Sequence, residues 1–164
     1  MSNNDQLQFV KDVPGKQVMV TRQYNATVER VWKAWTESES LDQWWAPKPW
    51  RAETKSMDFK VGGYWLYAMV GPDGTKQWCK VEYKAIDPQK SYQAVDMFCD
   101  ENGNRTPDFP GMRWKNVFQA TATGTTVIIE INFNTEEDMQ KILEMGFEAG
   151  FTMGLGNLEE LLAK

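Results

Sequence analysis

The segment Asn134–Lys164 constrains the fold of this chain more than any other stretch. It reads as one helix of about thirty residues, roughly 45 Å long at ~1.5 Å per residue. Asn134 and Thr135 both suit an N-cap, and Glu136, Glu137 and Asp138 put negative charge in the first turn, where the helix dipole favours it. Met139, Leu143, Phe147, Phe151, Leu155, Leu158 and Leu162 recur at helical spacing as one apolar stripe. Beside it runs a second stripe, Gly146, Gly150 and Gly154. An interior glycine costs about 1 kcal/mol relative to alanine, so a stripe of them needs a physical reason. Two are open: packing of helix on sheet too close for side chains, or space kept for a ligand. Glu144, Glu148, Asn157, Glu159 and Glu160 exclude a membrane-embedded G-x-x-x-G dimer face.

The helix follows a chain whose apolar period is mostly two. Residues 1–16 are polar with a Pro14-Gly15 turn and read as a loose arm ahead of one domain over 17–164. Gln17–Ala26 alternates and reads as a strand. Thr27 caps a short helix with Val28, Val31, Trp32 and Trp35 on one face, and a second short helix carries Leu41, Trp44 and Trp45 up to Pro47. Six more strands follow, near 50–59, 63–70, 77–86, 91–99, 112–122 and 125–133, with Gly71-Pro72-Asp73-Gly74 and Asp87-Pro88 as turns. In the 91–99 strand either face can point inward: Tyr92, Ala94, Asp96 and Phe98, or Gln93, Val95, Met97 and Cys99. The polar loop 100–111 is long enough to expect a functional or mobile segment bordering a cavity entrance. The order predicts an α+β fold, with a seven-stranded curved antiparallel sheet, two short helices and the long C-terminal helix across its concave face.

Charge and chemistry narrow the function by exclusion. A net charge of −5 offers no basic footprint for nucleic acid or an anionic membrane. Cys79 and Cys99 lack metal-ligand spacing. The chain has no histidine, the commonest general base and metal ligand, and no phosphate loop or nucleophile-elbow motif. No catalytic residue, metal or cofactor is therefore assigned. Without a signal-peptide pattern or an apolar run of membrane length, a cytoplasmic location is expected. The eight tryptophans point either to a large aromatic core or to an aromatic-lined pocket.

Several runs together carry a family resemblance. They are Thr27-Val-Glu-Arg-Val-Trp-Lys-Ala-Trp35, Gln43-Trp-Trp-Ala-Pro47, Val61-Gly-Gly-Tyr-Trp65, Pro72-Asp73-Gly74, Ile86-Asp87-Pro88, Gly124-Thr125-Thr126 and Gly146-Phe-Glu-Ala-Gly-Phe151. In this order and spacing the chain resembles the START/polyketide-cyclase-like (SRPBCC) superfamily, in the branch named after the activator of the heat-shock-protein-90 ATPase. The family typically has a tryptophan where this chain has Phe147 or Phe151, and an aromatic is kept. The resemblance implies the helix-grip fold, a sheet gripping the long helix around a hydrophobic cavity. Its members include lipid and polyketide binders, aromatic cyclases and chaperone regulators.

Three functions follow as expectations: a binder of a small hydrophobic molecule (lipid, flavonoid or polyketide-like), a chaperone-regulating module, or a cyclase or hydrolase. A monomer or weak dimer is expected. Strand alternation and the helical stripe turn Trp65, Tyr67, Met69, Tyr83, Trp114, Phe118, Phe147 and Phe151 toward a common interior. Trp45 and Gly150 join them; Asn116 and Asp96, on strand faces otherwise apolar, are either hydrogen-bonded near a strand end or facing solvent, or polar anchors for a ligand carbonyl or hydroxyl.

Overall fold

The structure, a computed structural model, describes residues 7–106 and 111–163. Its strands are β1 (Leu7–Asp12), β2 (Gln17–Tyr24), β3 (Arg51–Met57), β4 (Tyr64–Val70), β5 (Lys76–Asp87), β6 (Ser91–Phe98), β7 (Met112–Ala120) and β8 (Thr125–Asn132). All are antiparallel in one open eight-stranded sheet of order β1-β2-β8-β7-β6-β5-β4-β3. Four helices accompany it among the described residues: α1 (Val28–Thr36), α2 (Ser38–Trp44), α3 (Glu136–Glu144) and α4 (Phe147–Leu162).

Alternation sorts the sheet into an inner and an outer face. Val18, Val20, Arg22 and Tyr24 of β2 are buried, as are Cys79, Val81 and Tyr83 of β5. Met112, Trp114, Asn116 and Phe118 of β7 and Val127, Ile129 and Ile131 of β8 complete the inner face. On β6 the buried set is Tyr92, Ala94 and Asp96, which settles the face left open by the pattern.

The β2–β3 connection runs to the opposite edge of the sheet, and α1 and α2 lie in it. Thr27 caps α1 by accepting from Arg30 N–H at 3.2 Å. Trp44 Nε1 donates to Ala34 O at 2.9 Å, which locks α2 onto α1. α4 is tied to both sides of the domain. Asn157 Nδ2 donates to Ala46 O at 3.1 Å, and Tyr24 Oη donates to Leu155 O at 3.2 Å. The buried Arg22 meets Glu159 at 3.0 Å.

Two expectations need correction. The sheet has eight strands, not seven, because Leu7–Asp12 pairs with β2 over a turn closed by Lys16 N–H to Val13 O at 3.0 Å. The Pro14-Gly15 signal marks that hairpin turn. An edge strand exposed on most positions carries little apolar alternation, so its polar sequence hid it. The C-terminal segment is two helices, not one. Gly146 sits at φ +88, a left-handed conformation that ends α3 and begins α4. Thr135 caps α3 through Asp138 N–H at 3.0 Å.

Candidate functional site

The cavity grows from rows of cross-strand neighbours on the inner face. Tyr67 of β4 faces Cys79 of β5, which faces Phe98 of β6. One row further, Val81 faces Asp96, which faces Met112. Trp114 of β7 lies two residues on. Opposite these rows, the α3–α4 joint brings Ile142, Met145, Gly146, Phe147, Gly150 and Phe151, while Trp45 and Pro47 come from the end of α2. The space is about 200 Å³, open on one side, and its walls are almost wholly apolar. Met145 is 52% exposed and Met97, Phe98 and Phe147 are half-buried, so the mouth lies at the joint and the adjoining ends of β6 and β7.

Aromatic rings build the walls. Trp45 is their hub, with ring centroids 5.7 Å from Trp65, 6.0 Å from Trp114 and 6.0 Å from Phe151. Its Nε1 donates to Tyr67 Oη at 2.8 Å. Tyr67 in turn stacks on Trp65 at 3.9 Å, and Trp65 Nε1 donates to Thr54 Oγ1 at 2.9 Å. Phe147 and Phe151 stack at 5.4 Å, one helical turn apart, and Phe9 of β1 buttresses Phe147 at 6.3 Å. These contacts fix the ring orientations, so the cavity is held open by rigid groups.

Asp96 is the ionisable carboxyl on this wall. Burial pushes it up to about 7, and the Met97 backbone N–H bonded to it offsets only part of that. Burial also raises the Tyr67 phenol and the Cys79 thiol well above their ordinary values; Cys79 and Asp96 push Tyr67 further up and Asp96 does the same to Cys79, while the hydrogen bonds from Trp45 to Tyr67 and from Tyr67 to Cys79 offset a smaller part. Near neutral pH the site thus presents neutral hydroxyl and thiol groups and a carboxyl that shares its proton with solvent.

Of the residues expected at the site, Trp45, Tyr67, Met69, Asp96, Trp114, Phe147, Gly150 and Phe151 line this cavity. Trp65, Tyr83 and Asn116 instead line a separate void of about 20 Å³, which also touches Trp45, Asp96 and Trp114. Phe118 lines neither; it packs on Trp32 and Trp35 at 5.1 and 5.9 Å. Sequence reasoning missed Pro47, Cys79, Met97, Phe98, Met112, Ile142 and Met145, and reached Gly146 only as a member of the glycine stripe. Cys79 and Met112 alternate with Tyr83 and Trp114 and were within reach of the period-two argument. Ile142 and Met145 were hidden by treating α3 and α4 as one helix. In the loop expected at the entrance, residues 107–110 lie outside the described ones, and Cys99 bridges to Arg105 in the preceding part.

An antiparallel sheet wrapped on helices around an apolar cavity defines the helix-grip class. The family model for "Activator of Hsp90 ATPase homolog 1-like protein" matches residues 25–163, and the chain belongs to that family. The fold is similar to a solution structure of a protein from Arthrobacter aurescens, at 30% identity and a TM-score of 0.90, covering 95% of this chain and 91% of that one. It is also similar to a crystal structure of a protein from Mycobacterium smegmatis (27%, TM-score 0.87, covering 94% and 95%). A protein from Staphylococcus epidermidis is comparable (27%, TM-score 0.83, covering 95% and 93%). A comparison with curated proteins finds no match. Membership of the family supports a ligand-binding or regulatory module. Among the described residues no helix is long and apolar enough to cross a membrane.

Proposed function

We propose that the protein binds a small aromatic or hydrophobic molecule in the cavity between β4–β7 and the α3–α4 joint. The observation that carries this reading is the cavity itself: about 200 Å³ of apolar space inside a domain whose surrounding rings are otherwise in contact. Packed interiors seldom leave such space, because the lining forfeits dispersion contacts. The volume sets the ligand size. A dry cavity of about 150 Å³ takes a benzene, and drug-sized ligands use roughly 300 Å³ or more. A ligand of one or two rings fits better than a long acyl chain.

Tryptophan fluorescence and thermal unfolding test the reading with naphthalene, indole and decanoate as probes. Naphthalene and indole should change the emission of Trp45 and Trp114 and raise the Tm, with decanoate weaker. If none of the three shifts either signal up to its solubility limit, the binding role is wrong.

A further inference from the structure

Among the described residues that line the cavity, Asp96 alone carries a formal charge. On the inner face it stands between Val81 of β5 and Met112 of β7, both apolar, and it is 9% exposed. The Met97 N–H is the hydrogen bond that favours its ionised form, and no cation offsets its burial. A carboxylate has about four acceptor positions, so most of them are open.

The groups around Asp96 do not supply the missing charge. Tyr67 of β4, Cys79 and Tyr83 of β5, Tyr92 of β6 and Cys99 just beyond it are phenols and thiols, held neutral by burial. Trp114 lies diagonally across on β7, and the α3–α4 joint and the end of α2 bring only uncharged residues to the cavity. Arg105 is exposed and comes near the Asp96 backbone instead. A Cβ on Gly111 would lie 3.6 Å from its Nη2 and 3.4 Å from Asp96 O.

A buried carboxylate without a cation is costly to the fold, and an apolar side chain would close this wall without that cost. The same chemistry selects an occupant. An anionic ligand is repelled, and a neutral one leaves the carboxylate unpaired. An ammonium brings the opposite charge and three N–H donors. Indole and phenol rings also attract a cation over their faces, as aliphatic walls do not.

We propose that the cavity takes an aromatic amine in its protonated form, the ring filling the apolar space and the ammonium pairing with the Asp96 carboxylate. The inference rests on the cavity being a ligand site, and it narrows the ligand to a monoamine on one or two rings. Pairing needs Asp96 ionised. Burial pushes that carboxyl up to about 7, whereas an alkylammonium stays protonated to about pH 10. Amine binding therefore strengthens as pH rises through 7, and below that value it releases a proton from Asp96.

Calorimetric titration with phenethylamine, phenethyl alcohol and 3-phenylpropionate tests this, with naphthalene as a further neutral probe. The first three share a phenyl ring on a short chain and differ in charge. At pH 8 phenethylamine should bind at least ten-fold more tightly than the alcohol, and 3-phenylpropionate more weakly than either. At pH 5.5, where Asp96 is mostly protonated, the advantage of the amine should be lost while the alcohol binds as before. Asp96→Asn should abolish that advantage at pH 8 as well. An amine that binds no more tightly than the alcohol at pH 8, or an advantage that survives at pH 5.5, overturns the pairing and leaves the binding role standing. Binding of none of the probes, naphthalene included, overturns both. The wild-type comparison between the two pH values decides the matter even if Asp96→Asn does not fold.

Discussion

Burial holds the proton on Asp96 to about pH 7, whereas an unfolded chain releases it near the ordinary value of 3.8. Between those two values the folded state binds more protons than the unfolded one, so stability falls as pH rises. The loss is complete above the folded value. A shift of that size corresponds to about 4 kcal/mol. The groups that feel its charge are the hydroxyls and thiols of Tyr67, Cys79, Tyr83, Tyr92 and Cys99, none of which offsets it as a cation would. Asp96→Asn removes the titration and keeps the shape. Urea unfolding should show the variant close to wild type at pH 4.5 and more stable by a few kcal/mol at pH 8. Parallel curves across that range would mean that Asp96 is not the buried acid of this fold.

The glycine stripe divides into separate roles along the C-terminal helices. Gly146 turns the chain between α3 and α4. A Cβ on Gly150 would meet Pro47 Cγ at 3.5 Å, an ordinary contact, and the rest of a side chain there has the cavity to enter. A Cβ on Gly154 would stand 3.0 Å from Trp45 O and 3.3 Å from Trp44 O. Those carbonyls belong to backbone at the end of α2 and have little freedom to move. Gly150→Leu should therefore fold with equal stability, or up to about 1 kcal/mol more from helix propensity. It should lose naphthalene binding by ten-fold or more. Gly154→Ala gains the same propensity but overpacks, at a cost of about 1–3 kcal/mol, and should be less stable than wild type. Chemical denaturation of the two variants checks both signs, and a stable Gly154→Ala would show that α4 does not need its close approach to α2. The sequence posed the choice between packing and open space for the stripe as a whole, but the answer differs residue by residue. Period-two alternation was enough to place Tyr67, Met69 and Trp114 on the cavity wall, because strand faces are set locally. The break at Gly146 depends on a backbone angle, and helical spacing runs through it unmarked. Phe118 and Asn116 share the face of Trp114, yet distance along β7 carries them past the cavity, which no periodicity reports.

The β2–β8 ladder joins residues more than a hundred positions apart, such as Val20 with Ile129, and its inner face is fully buried. Its amides open only when the whole fold opens. The cavity mouth is different: Met145 is exposed, and the α3–α4 joint is held by turn hydrogen bonds such as Gly146 N–H to Leu143 O at 3.1 Å. Local opening there exposes the cavity and leaves the sheet intact. A ligand in excess slows every opening that destroys its site by the same factor, 1 + [L]/Kd, or about 100-fold at a hundred times Kd. Hydrogen exchange with saturating naphthalene should therefore slow amides from Ile142 to Phe151 and in Val127–Ile131 alike, by about that factor. Amides of the outer edge strand β3, whose positions are mostly exposed, should exchange at their free rate, because fraying there leaves the cavity whole. Slowing of Val127–Ile131 without slowing of Ile142–Phe151 would show that the joint opens without exposing the ligand. The entrance would then have to lie elsewhere on the cavity wall.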